Sequence, residues 1–298
     1  MPRRIGVGFV GLCLLEGSAW LYDQAAPQVL TGLPRTAVHH GVLALGFGIA
    51  SLWGCGDSRR GWRFWLKIAG GGVSMFTVPE VLFAGAGGHV SALAGLLVFM
   101  LVPVVAIFAV AQKAAGFGAD GNPLKWMAPA LAGLGGAALL IPFDWPASIA
   151  GRIWLGAMVG SVVLAGAAAV WMHRLLQGVG LVRAAAVVFG ATGLIAAAFC
   201  WVDWTAVPGW TWSAVAAEAG RCAGIEIPTL LLTVWLLREM PPVGFSARLL
   251  LVPLVTILES YLMTRSALSW TIVFGVVLMA GGGAGLVMAK DDTPRNLI

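Results

Sequence analysis

"LVPVVAIFAV" stands at residues 101–110 and "LVPLVTILES" at residues 251–260. Both are apolar runs with a proline at the third position, Pro103 and Pro253. A proline there removes a backbone donor and frees a carbonyl. Two near-copies of such a string in one chain point to a duplicated unit. Working outward, "FTVPEVLF" at 76–83 matches "IEIPTLLL" at 225–232, which pairs Pro79 with Pro228. Upstream, Arg35 in "LPRTAV" pairs with Arg183 in "LVRAAA". These three landmark pairs (35 and 183, 79 and 228, 103 and 253) lie 148, 149 and 150 positions apart. Downstream, "LKW" at Trp126 and "LSW" at Trp270 are 144 apart, because the preceding loop is shorter in the second copy.

The 298 residues are 59% hydrophobic and 10% charged. Ordinary globular domains carry about 25% charged residues. So much apolar surface points to a bilayer as the solvent, and a span needs about 20 mostly apolar residues. Ten such stretches are expected, at 5–22, 36–54, 65–84, 90–111, 126–143, 153–171, 184–202, 212–237, 245–263 and 268–288. The runs are continuous and do not alternate, which favours helices over a closed barrel. The expected fold is therefore an all-α integral membrane protein with ten transmembrane helices. Five spans per copy is an odd number, so the second copy enters the membrane upside down. Residues 1–145 and 146–298 are then two five-helix inverted repeats, an architecture of many secondary transporters.

"MPRR" fits the start of a signal peptide, but Glu16 interrupts the apolar stretch and no A-x-A site follows cleanly. The segment reads as a retained first helix. The net charge is +5. With the N-terminus inside, 14 of the 18 Lys and Arg fall on the cytoplasmic side. Arg35, Arg152 and Arg265 fall opposite, and Arg221 lies inside a span. The positive-inside rule reads this as a multi-pass protein of the plasma (inner) membrane with both termini cytoplasmic. No basic cluster exceeds "RRGWR", so no nucleic-acid partner is expected. The 14 tryptophans gather near span ends, where an apolar ring with one N–H is at home. Cys13, Cys55, Cys200 and Cys222 form no CxxC or metal spacing and read as small apolar fillers. No metal or cofactor is expected.

The chain resembles the drug/metabolite transporter superfamily, specifically its ten-span EamA-type members. The carrying strings are "LVPVVAIF", "LVPLVTIL" and the closing "LSWTIVFGVVLMAGGGAGLVM", a tryptophan followed by spaced glycines and leucines. That family often has an acidic-basic turn, such as G-E-R, before spans five and ten. Here those loops read "QKAAGFGADGNP" and "TRSALS". The resemblance implies a central cavity walled by spans one to four and six to nine, with five and ten outside. It also implies export or exchange of a small molecule.

A charge at mid-bilayer costs about 2.5–3.5 kcal/mol on insertion scales, so each one invites a functional reading. Span eight carries Glu218, Arg221 and Glu226 in "VAAEAGRCAGIEIP". Glu218 and Arg221 are three apart and share a face. They form either a self-neutralising pair or a pair whose Arg221 also meets an anionic substrate group. Glu226 is five residues from Arg221, roughly 140° around a regular helix, so it needs another partner, a cavity or a proton. Thr77 and Glu80 flank Pro79 as Glu226 and Thr229 flank Pro228, with the order of acid and threonine swapped. Each pair is i, i+3 and shares one helical face. Glu80 stands close to a span end, where it either reaches water or serves the site. Glu16, followed by Gly17 and Ser18, either faces the cavity or serves close helix packing. Glu259, with Arg265 beyond it, either snorkels to the interface or lines the cavity. His39 and His40 open the second span on different faces, as interfacial residues or as a titrating site.

The substrate- or proton-binding candidates are thus Glu16, Thr77, Glu80, Arg221, Glu226, Thr229 and Glu259. The kink or gating candidates are Pro79, Pro103, Pro228 and Pro253, since matched Pro-interrupted spans point to transporter sites. Acids outnumber the lone mid-span arginine, which suggests a cationic substrate or proton coupling. An acid away from water can bind and release a proton, and cannot hold a proton and a cation at once.

No HExxH, DDxxD-like, GxSxG or Walker pattern is present. "GAGGH" at 85–89 reads as a tight loop between spans. The expected function is a secondary active transporter, an exporter or exchanger of a small polar or cationic metabolite such as an amino acid, amine or drug. A membrane-embedded enzyme on a lipid-like substrate, or a structural membrane subunit, are the alternatives. Its partners are the bilayer and the small-molecule substrate. Gly281 and Gly285 make a GxxxG spacing, which serves either a homodimer through the tenth helix or packing within the bundle.

Overall fold

The computed structural model describes residues 2–19, 21, 30, 32–53, 60–116, 123–202, 211–264 and 269–288. Cys55, Arg59, Arg265, Lys290, Arg295, Trp20, Trp204 and Trp210 lie outside the described residues. Among the described residues every regular element is a helix. In chain order these are α1 Arg3–Gly17, α2 Gly32–Trp53, α3 Trp62–Gly72, α4 Val78–Ala86, α5 Ala92–Phe99, α6 Val102–Gly116 and α7 Met127–Leu140. There follow α8 Ile149–Leu175, α9 Leu181–Val202, α10 Trp212–Arg221, α11 Ile227–Glu239, α12 Pro242–Ser246, α13 Arg248–Thr264 and α14 Trp270–Val287.

Among the described residues, six helical runs are long and apolar enough to cross a membrane: Trp62–Ala86, Ala92–Gln112, Ile149–Leu175, Leu181–Cys200, Pro242–Thr264 and Trp270–Val287. The pair Trp212–Gly224 and Ile227–Glu239, bent by 45°, makes a seventh if it is one span. The outer faces fit this reading. Ile149 is 76% exposed and Leu194 75%, and such apolar side chains find no partner in water. The chain is thus an all-helical protein compatible with a multi-pass membrane protein.

Two boundaries differ from the sequence expectation for local reasons. The stretch expected at 126–143 is α-helical only over Met127–Leu140, after a 3-10 turn at Pro123–Trp126. Ile141 adopts φ −111°, ψ 112°, because a residue before proline, here Pro142, is pushed out of the helical region. The stretch expected to open at Phe245 instead opens at Pro242, the first residue of α12, where a proline lacks only a donor that would be unsatisfied anyway.

Two turns interrupt the helices more deeply. Val73–Thr77, between α3 and α4, and Cys222–Glu226, between α10 and α11, are π-helical. Val78 N–H donates to the Val73 carbonyl, and Ile227 N–H to the Cys222 carbonyl. Each π-bond is made by the residue just before a proline, Pro79 or Pro228. A proline ring clashes with the carbonyl four residues back, and widening the preceding turn by one residue relieves that clash. Pro103 lies just beyond the short break between α5 and α6, and Pro253 lies inside α13.

Packing follows small residues. α2 lies along α9 and α7 along α14. In the α7–α14 seam, a Cβ on Gly282 would stand 2.5 Å from the Gly133 nitrogen, and one on Gly275 would stand 3.0 Å from the Gly136 oxygen. Gly285 meets Pro129, and Gly281 faces open space. The close seam therefore runs through Gly275 and Gly282, and it lies within the chain. α1 crosses α13 at Gly17, where a Cβ would stand 2.6 Å from Val255 Cγ1 and 3.1 Å from the Val252 carbonyl oxygen. α8 crosses α6 at Gly166 in the same way, 2.7 Å from Val105 Cγ1 and 3.5 Å from the Val102 carbonyl oxygen.

Candidate functional site

The first two turns of α2 carry a largely buried polar face. Arg35 and His39 are four apart, so they share one side of this helix. That side meets α10 and the π-turn that follows it. His39 Nε2 lies 2.9 Å from Glu218 Oε2, and His39 Nδ1 lies 2.5 Å from Glu226 Oε1. Arg35 Nε stands 3.8 Å from Glu218 Oε2, and Arg35 Nη2 stands 3.9 Å from Glu226 Oε1. Arg221 Nη1 lies 3.9 Å from Glu218 Oε1, the i, i+3 pairing that the sequence suggests. From the neighbouring face of α2, the Thr36 hydroxyl donates to Glu80 of α4. Glu80 is also within electrostatic reach of Glu226, His39 and Arg35.

The π-turn accounts for the position of Glu226. A regular helix would put it about 140° from Arg221. The i→i+5 bonding widens the turn to roughly 4.4 residues, so five residues make little more than one turn. Glu218, Cys222 and Glu226, each four apart, come to one face and look at α2. Cys222 is fully buried and its sulfur lies 3.4 Å from the His39 carbonyl oxygen.

The result is three carboxylates (Glu80, Glu218, Glu226), two guanidiniums (Arg35, Arg221) and one imidazole. Glu218 is 2% exposed, while the side chains of Glu226 and Arg35 are 27% and 23% exposed. The deep part of the cluster is closed and its rim is open. The surplus of acid that the sequence shows is largely balanced once Arg35, placed there in a flanking loop, joins the group. Mutual pairing offsets the desolvation that each charge would suffer alone.

Of the sequence candidates, the structure brings together Glu80, Arg221 and Glu226. Thr77 lies in the first π-turn, fully buried, with no hydrogen-bond partner for its hydroxyl among the described residues. Thr229 is half-buried in α11, where its carbonyl accepts from Thr233 at 2.9 Å. Glu16 and Glu259 lie elsewhere, on the seam between α1 and α13. Glu16 pairs with Arg248, the Ser18 hydroxyl donates to Glu259, and Thr256 Oγ1 donates to the Gly17 carbonyl at 2.9 Å. Arg248, assigned by charge to the cytoplasmic side, thus reaches Glu16 within the helix seam.

Arg35, Thr36 and Cys222 are the members that sequence reading passes over as site residues, and His39 is one that it weighs only as an interfacial or titrating residue. The i, i+4 spacing of Arg35 and His39 was the available signal. His40 turns away from the cluster to Phe189 of α9, ring centroids 5.7 Å apart, as the different-faces reading expects.

No protein-family model matches the chain, and no curated protein matches it. Solved structures do match, 25 chains in all. One, a protein of known crystal structure, aligns at a TM-score of 0.71 with 18% identity, over 95% of this chain and 98% of its own. That likeness is one of fold.

Proposed function

We propose that the protein is a secondary active transporter of a small polar or cationic metabolite, working by alternating access around the cluster between α2, α4 and α10–α11. The observation that carries this reading is the cluster itself. Three acids, two arginines and a histidine from separate apolar helices meet in the interior. Charged groups at such a place are costly, and in membrane proteins they commonly mark a solute or proton pathway.

The inverted-repeat reading rests on paired geometry. The π-turns begin at Val73 and Cys222, 149 positions apart, as are Pro79 and Pro228. The two tight crossings repeat at the same interval. Gly17 and Gly166 are 149 apart, and their partners Val105 and Val255 are 150 apart. Each glycine meets a valine of the other half, so the crossings exchange under a two-fold relation. Adding α1, α2 and α7 to the candidate spans gives ten passes, with α7 and α14 paired. This supports two five-helix units, and with them membership of the drug/metabolite transporter superfamily of the EamA type. We read Glu226 as the proton-linked acid and the chain as a carrier, not an enzyme.

Reconstitution into proteoliposomes tests the reading. Loaded vesicles should exchange labelled amino acids or amines, with flux that responds to an imposed pH gradient. A panel of such solutes with no flux above protein-free vesicles contradicts it.

A further inference from the structure

We infer that His39, Cys222 and Glu226 form a binding site for one thiophilic divalent metal ion of the Zn2+ class. One ligand atom from each, a ring nitrogen of His39, Cys222 Sγ and a Glu226 carboxylate oxygen, all lie within 4.8 Å of one another, and the nitrogen that meets Glu226 is Nδ1. An imidazole, a thiol and a carboxylate are the donor types that such an ion takes, at about 2.0–2.3 Å each. Around a tetrahedral ion those donors stand about 3.3–3.8 Å apart. The site therefore needs only small adjustments. The Glu226 carboxylate moves away from its 2.5 Å contact with His39 Nδ1, and the Cys222 sulfur moves inward.

The second observation is what stands behind His39. A metal-binding histidine characteristically gives its other ring N–H to a carboxylate, which fixes the ring and leaves the free nitrogen for the ion. Glu218 occupies that position, its Oε2 2.9 Å from Nε2, and it is itself buried and flanked by Arg221. The ring is thus held with Nδ1 turned to Glu226. Three protein ligands leave one coordination position for water or a solute group. Glu226, the most exposed of the three ligands, is the route of entry. On binding, the Cys222 thiol releases its proton and the sulfur coordinates as thiolate, and the proton shared between His39 Nδ1 and Glu226 is released to solvent as both become ligands.

An ion held there ties α2 to the second π-turn. The site shares Glu226 with the proposed transport pathway. It stands on ligand geometry alone, however, so either reading can fail while the other holds.

The test uses the purified full chain in detergent, titrated with Co2+ as a spectroscopic substitute for Zn2+. A thiolate-to-cobalt charge-transfer band in the near ultraviolet should saturate at one equivalent and vanish when Zn2+ is added. Cys222→Ser should abolish the band, and combined Cys13→Ser and Cys200→Ser should leave it. Glu218→Gln, which touches no ion, should weaken Co2+ binding by about 10–100-fold with Cys222 intact. Zn2+ should raise the melting temperature of the parent and not of Cys222→Ser, since a ligand that binds only the folded form stabilises it. No band in the parent, or a band that survives Cys222→Ser, overturns the site. So does unchanged affinity in Glu218→Gln.

Discussion

His39 reaches across from α2 to Glu226 in the second π-turn, Nδ1 to Oε1, over 2.5 Å. This contact joins a helix of the first half to a helix of the second. It also fixes the carboxylate on which the proton-coupling proposal depends. Glu226→Gln keeps the shape of the side chain and removes its charge. Transport by the variant should lose its dependence on an imposed pH gradient, measured as flux at matched solute concentration. Flux with the parent's pH dependence would move the coupling role to another residue.

Glu218 is the deepest acid of the cluster, with His39, Arg35 and Arg221 around it. Removing one member of a buried charged set costs more than the set contributes, because the remaining charges lose a partner. Glu218→Ala should therefore destabilise the protein by about 3 kcal/mol or more, read as a fall in melting temperature. A loss within the scatter of surface substitutions would mean that the cluster is more hydrated than its burial indicates.

The two crossings at Gly17 and Gly166 should respond alike. Each would place a Cβ less than 3 Å from a valine methyl, and overpacking of this kind costs about 1–3 kcal/mol. Gly17→Leu and Gly166→Leu should each lower the melting temperature by similar amounts. Gly11→Leu and Gly160→Leu, with nothing within 4 Å of the new Cβ, should not. A large effect at only one of the two crossings would argue against their equivalence.

The α1–α13 seam is laced by polar groups, whereas the α6–α8 seam meets through Val105 and Gly166. Glu16 pairs with Arg248, and both side chains are largely buried, at 21% and 11% exposed. A double-mutant cycle of Glu16→Gln and Arg248→Met should give a coupling energy of about 1–3 kcal/mol, between exposed and fully buried pairs. A coupling near zero would show that Arg248 finds its neutralisation elsewhere.

The helices were legible because apolar runs of span length need no tertiary knowledge. Their ends were less so. Ile141 leaves the helix because of Pro142, and α12 begins at Pro242, both readable from the proline alone. The π-turns were not foreseen, although Pro79 and Pro228 marked their positions. Without the wider turn, regular helical geometry set Glu226 apart from Arg221 and left it without a partner. Glu80, Arg221 and Glu226 were legible because a carboxylate or guanidinium in an apolar run is rare. Arg35 was not, because a charge near a helix start is ordinary there, and for the same reason His39 stood only as an interfacial or titrating residue. Only the close approach of α2 to α10 makes them part of the cluster. Cys222 gave no signal, since its spacing to His39 spans the two halves.

The central claim is that two five-helix units lie antiparallel about the cluster. Gly88, after α4, and Glu239, at the end of α11, would be nearly equivalent positions in the two proposed units. Single cysteines placed there, with Cys55 replaced and the remaining cysteines buried, can be labelled in intact cells by a membrane-impermeant thiol reagent. The account predicts that Gly88→Cys labels from outside and that Glu239→Cys labels only after the membrane is opened. Labelling of both from the same side would contradict it.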